Sequence, residues 1–95
     1  MSLTALLATI EEEAKQLRKQ EKELLEQIST ITSQSFAEQA AKELDSKTHT
    51  YSFRGYIELL QKLLTLLQED MPETTALEAV QTGLKVEQIL YIWRY

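Results

Sequence analysis

The amino-acid sequence predicts an all-α fold of four or five helices, with a long N-terminal helix packed in a small helical bundle. Three observations favour this class. Residues 1–33 lack glycine and proline and are rich in strong helix formers such as alanine, leucine and glutamate. The whole chain has only two glycines and one proline, too few for the many turns of an all-β fold. Apolar residues recur at helical spacing along most of the 95 residues, a length that fits one domain over residues 1–95.

Residues 1–33 have the pattern of a coiled-coil-like helix. Leucine or isoleucine recurs every seven residues from Leu3 to Ile31, and a second series between them is weakened by Ala14 and Glu21. Such a repeat, of about 3.5 residues, predicts left-handed packing against another helix. We expect Glu21 to select the register or the partner, at some cost in stability.

This predicted helix is longer than a small domain needs, since it would span about 45 Å. Part of its apolar seam is therefore expected to extend beyond the domain and to bind another helix, from a second copy or from a different protein. Packing of the same seam within the chain is the alternative. The predicted oligomer or partner interface consists of Leu7, Ile10, Ala14, Leu17, Glu21, Leu24, Ile28 and Ile31.

Residues 34–95 are expected to form the helical body. Ser35 is predicted to cap a second helix that ends near Asp45, and residues 45–52 to form a loop. The segment from Phe53 to about Asp70 is the most hydrophobic and is predicted to be the central helix of the core. We expect it to form an antiparallel pair with the first helix, or to join it in a bundle.

Two shorter helices are predicted to form an αα-corner at residues 75–94. Thr75 would cap the first of them, and Gly83 would adopt a left-handed conformation after its end. The last helix would run from about Lys85 to the C-terminus.

No residue is predicted to be catalytic, to bind a metal or to hold a cofactor. The chain has no cysteine, which excludes disulfides and thiolate chemistry and fits a reducing cytoplasm. The single histidine, His49, has no glutamate at the spacing of a helical di-metal site. The apolar N-terminal stretch runs directly into Glu11, so neither a signal peptide nor a membrane span is expected there. We expect a protein that is not an enzyme.

Residues 75–94 resemble the pattern of a helix-turn-helix, with Ala79 four residues before Gly83 and an apolar stripe after it. A DNA-binding transcriptional regulator is therefore the alternative function. The net charge of −5 opposes nucleic acid and anionic membranes as ligands. With so few cations, phosphate contacts would be weak and salt-sensitive. The residues that would contact DNA in this alternative are Lys85, Gln88, Tyr91 and Arg94.

The C-terminus is rich in the side chains that most often anchor protein interfaces. Tyr91, Trp93, Arg94 and Tyr95 form a candidate docking patch. The competing expectation is that Ile92 and Trp93 fill the core while the tyrosines lie half exposed. Together these patterns predict a small interaction module, a homodimer or larger assembly, that associates through its first helix.

Overall fold

The computed structural model describes residues 2–48 and 53–95, and within them the prediction of an all-α fold is confirmed. The helices are α1 (Leu3–Ile31), α2 (Gln34–Thr48), α3 (Phe53–Gln68), α4 (Glu73–Val80) and α5 (Val86–Arg94). The described residues contain no β-strand. The second half of the predicted loop 45–52, including His49, lies outside the described residues.

Helix α1 is one unbroken element of 29 residues. At its start the Ser2 hydroxyl oxygen accepts a hydrogen bond of 3.2 Å from the Ala5 N–H, which satisfies one of the free donors of the first turn. At its end the backbone N–H and the hydroxyl of Thr32 both donate to the Ile28 carbonyl, at 3.0 and 2.6 Å. Local capping therefore defines both ends of the helix.

Helix α2 begins earlier and ends later than the sequence predicted. Its cap is Ser33 rather than Ser35, because the Ser33 hydroxyl oxygen accepts from the Phe36 N–H at 3.0 Å. The turn after α1 therefore needs only Thr32 and Ser33. The helix also continues past Asp45 to Thr48, since no glycine or proline interrupts residues 45–48.

Helices α1, α2 and α3 form a three-helix bundle in which α1 and α3 run in the same direction. Arg54, at the start of α3, lies beside Glu13, and Leu64, near its end, lines a groove with Ile31. The predicted antiparallel pairing of these helices is therefore wrong, although their place in one bundle is confirmed. The physical reason is the short turn after α1, which makes α2 antiparallel to α1 and leaves α3 to return parallel.

Helix α3 is the centre of the core, as its sequence predicted. It contacts each of the other four helices. Seven of its side chains are buried, and Leu60, Leu63 and Leu66 have no exposed surface. The largest fully buried side chains come from four helices and are Ile28, Leu44, Leu60, Leu63, Leu66 and Val80.

The last two helices pack on α3 at the end of the bundle where α1 finishes. Helix α4 starts at Glu73, directly after Pro72, and not at the predicted cap Thr75. Pro72 has a φ of −57° and suits a helix start, and Glu73 places a negative charge in the first turn. Gly83 has a φ of +80°, which confirms its predicted left-handed conformation. Lys85 is then the N-cap of α5.

The turn between α3 and α4 holds a residue in an unfavourable conformation. The Met71 N–H donates to the Leu66 carbonyl and the Asp70 N–H to the Leu67 carbonyl, each at 3.1 Å, which is a Schellman motif. This motif requires a left-handed residue, and Asp70 has a φ of +67°. An aspartate is disfavoured there, both by its Cβ and by its charge at a helix C-terminus.

Asp70→Gly is expected to raise the free energy of unfolding by about 0.5–1 kcal/mol, because glycine adopts this conformation without strain. Urea denaturation followed by circular dichroism measures the change. The control is Gln68→Gly, two residues earlier in the last turn of α3, which is expected to destabilise the protein by a similar amount. A loss of stability in both variants would contradict this explanation.

Candidate functional site

The most prominent exposed feature of the molecule is an apolar stripe at the start of α1. It consists of Leu3, Leu6, Leu7 and Ile10, and we refer to these residues as the N-terminal stripe. Their exposed fractions are 71%, 45%, 51% and 52%, respectively. Every residue from Ser2 to Glu13 is exposed, so this part of α1 extends beyond the bundle. The prediction that some of the seam extends past the rest of the domain is confirmed.

The rest of the same seam is covered within the chain. Ala14, Leu17 and Leu24 are partly buried, and Ile28 is fully buried. The boundary lies where α3 begins, since the Arg54 guanidinium is 3.4 Å from the Glu13 carboxylate. Both partners of this ion pair are more than half exposed, so it marks the boundary but contributes little stability.

The predicted interface is therefore divided by the fold. Leu7 and Ile10 lie in the N-terminal stripe, whereas the seam residues from Ala14 to Ile28 face α2 and α3. Ile31 is 49% exposed, but it lies at the opposite end of α1 in a groove with Leu64. The prediction omitted Leu6, which lies on the flank of the seam. Its spacing of four residues from Ile10 is the signal that identifies it.

Glu21, the polar residue of the seam, has its partner inside the chain. Its carboxylate interacts with the phenol of the buried Tyr56 on α3. Burial raises the pKa of Tyr56 above its usual range, and Glu21 and the negative charge of Asp45 raise it further. Glu21 of α1 therefore interacts with α3 inside the chain.

The C-terminal aromatic residues lie on the surface and not in the core. Ile92 is 64% exposed and Trp93 is 45% exposed, so the expectation that they fill the core is wrong. Ile89 takes that place, because it is the buried residue of α5. Tyr91 and Tyr95 are exposed and contact each other, with ring centroids 5.0 Å apart. A small cleft of about 210 Å³ between α4 and α5 includes the Trp93 side chain in its wall.

Two of the side chains named for DNA contact are engaged within the chain. The Arg94 guanidinium is 2.7 Å from the Glu69 carboxylate. The Gln88 side-chain oxygen accepts a hydrogen bond of 3.0 Å from the Lys85 N–H. Helices α4 and α5 lie on either side of Gly83, and these two contacts use groups that would have contacted DNA, so the geometry gives that alternative no support.

Among the described residues, no group of three or more histidine, aspartate or glutamate side chains is arranged to hold a metal ion. An open groove of about 680 Å³ lies between the N-terminal half of α1 and the start of α3. No helix of residues 2–48 and 53–95 is long and apolar enough to cross a membrane.

Comparison with known proteins gave no significant match to a protein-family model, to a curated protein or to a solved structure. The candidate site therefore rests on the geometry of this chain.

Tyr56→Phe is expected to lower the free energy of unfolding by about 1 kcal/mol, because it removes the buried hydroxyl that interacts with Glu21 while leaving the ring packed. Glu21→Gln removes the charge but keeps a polar group at the same position, and is expected to cost less. Chemical denaturation at pH 7 measures both changes. Equal stability of Tyr56→Phe and the parent protein would show that the interaction of the hydroxyl with Glu21 contributes nothing.

The raised pKa of Tyr56 also predicts a loss of stability at high pH. In the unfolded chain this phenol ionises near pH 10, whereas in the folded chain it keeps its proton to higher pH. Its contribution is therefore fully present below about pH 10 and falls by up to about 1.4 kcal/mol per pH unit above it. Denaturation at pH 9 and pH 11 measures this, and the fall should be smaller in Tyr56→Phe, which lacks the group. An identical fall in the two proteins would assign the effect to other residues.

Proposed function

We propose that this protein is a non-catalytic assembly module that associates with a second copy of itself through the N-terminal stripe. The proposal rests on one observation: the apolar seam of α1 is covered along one part of the helix and exposed along the other. From Ala14 to Ile28 the seam is covered by α2 and α3, and from Leu3 to Ile10 the same heptad positions are exposed.

The exposed part has the properties of a helix-binding surface. Its four large apolar side chains are adjacent on one face of a helix, and residues 3–10 carry no charge. Contiguous apolar surface of this kind is uncommon on proteins that remain monomeric and is typical of interaction sites. The heptad spacing continues unbroken from the covered part, so the exposed part suits packing against a helix rather than a flat surface.

The size of the surface supports reversible association. A standard protein interface uses roughly 20–30 residues from each partner. The exposed segment of α1 provides about a dozen, only some of which face one side. We therefore propose a dimer that dissociates on dilution rather than an obligate one. The absence of cysteine suits the reducing cytoplasm, which is where we expect the assembly to function.

Leu7→Glu combined with Ile10→Glu is expected to abolish this association. Both side chains are about half exposed in the single chain, so the double variant should retain the helical content and denaturation midpoint of the parent. Analytical ultracentrifugation across micromolar concentrations measures the oligomeric state. The parent should change from monomer to dimer as its concentration rises, while the double variant stays monomeric.

Ala5→Glu is the matched control for this experiment. Ala5 lies on the same exposed segment but on the side opposite the seam, and a glutamate at this first-turn position is favourable for a helix start. This variant should associate like the parent. A parent protein that remains monomeric at several hundred micromolar, or a double variant that still forms dimers, would overturn the proposed function.

A further inference from the structure

We infer that the two copies pair antiparallel and end to end, through the N-terminal stripe alone, so that the dimer is a rod with its two bundles at opposite ends. This inference rests on the proposed function and adds the arrangement of the partner. Three features of the described residues carry it: the position of the bundle on α1, the spacing of the stripe, and the distribution of charge along residues 3–13.

The first feature is steric. Helices α2 and α3 lie on the seam side of α1 from about Ala14 onward. In a parallel pair the seams of two α1 helices would face each other along their whole length. Each bundle would then occupy the space that the bundle of the other copy requires. In an antiparallel pair that overlaps only at the N-terminal stripes, the bundles lie at opposite ends and do not compete for space.

The second feature is the register that the stripe allows. In antiparallel helix pairs the two series of seam positions face each other. Leu7 of one copy then lies opposite Ile10 of the other. This register gives two layers related by a two-fold axis between residues 8 and 9, and it ends at the level where the bundle of the other copy begins.

The third feature is electrostatic. The N-terminal end of a helix carries a partial positive charge, and here it is followed by eight uncharged residues and then by Glu11, Glu12 and Glu13. In the antiparallel register, Glu11 flanks the first turn of the other copy, where negative charge is stabilised, whereas Glu13 is already paired with Arg54 of its own chain. A parallel pair would instead place both positive helix ends together and all six carboxylates at one level. The charges therefore favour the antiparallel arrangement.

The inferred dimer has a length that scattering can measure. One molecule is 54 Å long. Two molecules that share an overlap of about 12 residues, or about 18 Å of helix, would span about 90 Å. A dimer with its bundles side by side would be little longer than one molecule.

Small-angle X-ray scattering from the dimeric sample, in line with size-exclusion chromatography, tests this arrangement. A maximum dimension near 90 Å is the expected result. A dimer with a maximum dimension near 60 Å would overturn the antiparallel arrangement while leaving self-association intact. The absence of any dimer would overturn the proposed function itself, so the two failures are distinguishable.

Substitution of a charged residue gives a second test, because the antiparallel and parallel arrangements predict opposite changes in the dissociation constant of the dimer. Glu11→Gln removes a carboxylate that flanks the first turn of the other copy and should weaken the antiparallel dimer about two- to fivefold. Glu12→Gln is the matched control, since residue 12 lies on the side opposite the seam and should leave the dissociation constant unchanged. A tighter dimer in Glu11→Gln would show that like charges meet there, as in a parallel pair, and would overturn the inference.

The lack of cysteine in the native sequence allows a direct measurement of the register. A mixture of Leu7→Cys and ¹⁵N-labelled Ile10→Cys should be linked into mixed dimers by a short bismaleimide, and mass spectrometry separates these from dimers of one variant. Linkage that occurs chiefly within each single variant would place identical residues opposite each other and would contradict the antiparallel register.

Discussion

Helix α1 is much longer than helix α3, against which it packs. This difference in length determines which part of α1 is covered and which part stays exposed. Helix α1 has 29 residues and α3 has 16, and the two run in the same direction. A helix rises about 1.5 Å per residue, so the shorter one leaves about 20 Å of the longer one uncovered. The uncovered length lies at one end only, because the turn after α1 fixes the level at which the bundle closes. The apolar stripe, its exposure and its proposed partner all result from this geometry.

Within the bundle, polar groups define how the apolar surfaces meet. Tyr56 of α3 interacts with Glu21 of α1 at a level where the seam lacks an apolar residue. In the described part of the chain, every buried side-chain nitrogen or oxygen has a hydrogen-bond partner. A slip of α3 along α1 by one helical turn would separate Glu21 from Tyr56, and burying the phenol without a partner is costly. The pair therefore favours the observed level of the two helices, and with it the length of α1 that remains exposed.

The sequence predicted the fold class, the central helix and the left-handed glycine, because each depends on periodicity or on the conformational preference of one residue. The caps at Ser35 and Thr75 were predicted wrongly for a common reason. More than one nearby residue is able to start each helix, and packing selects between Ser33 and Ser35, or between Pro72 and Thr75. The direction of α3 relative to α1 was also predicted wrongly, since a periodic pattern identifies which face of a helix is apolar but not the direction in which a neighbouring helix runs.

The candidate site was predictable only in part, for a related reason. A heptad pattern identifies which face of α1 is apolar, and that face was predicted correctly. The pattern does not show how far along α1 the neighbouring helices extend. That extent determines that Ile10 is exposed while Leu17 is partly buried. The expectation that Ile92 and Trp93 of α5 fill the core was wrong for the same reason. Ile89, Ile92 and Trp93 share helical spacing, but α5 contacts only one neighbouring helix extensively, so its arc is only partly covered.

The continuous backbone of α1 joins a segment that α2 and α3 stabilise to an exposed segment at the start of the helix. A helical segment of about a dozen residues is marginal in water by itself, and here it persists as an extension of a helix already nucleated in the bundle. Its amide hydrogens are therefore expected to exchange progressively faster from Ile28 towards Leu3. Binding of a second helix would remove this gradient, so association and helix ordering become one coupled equilibrium. Protein concentration would then set the local order of the N-terminal turns while the bundle itself remains unchanged.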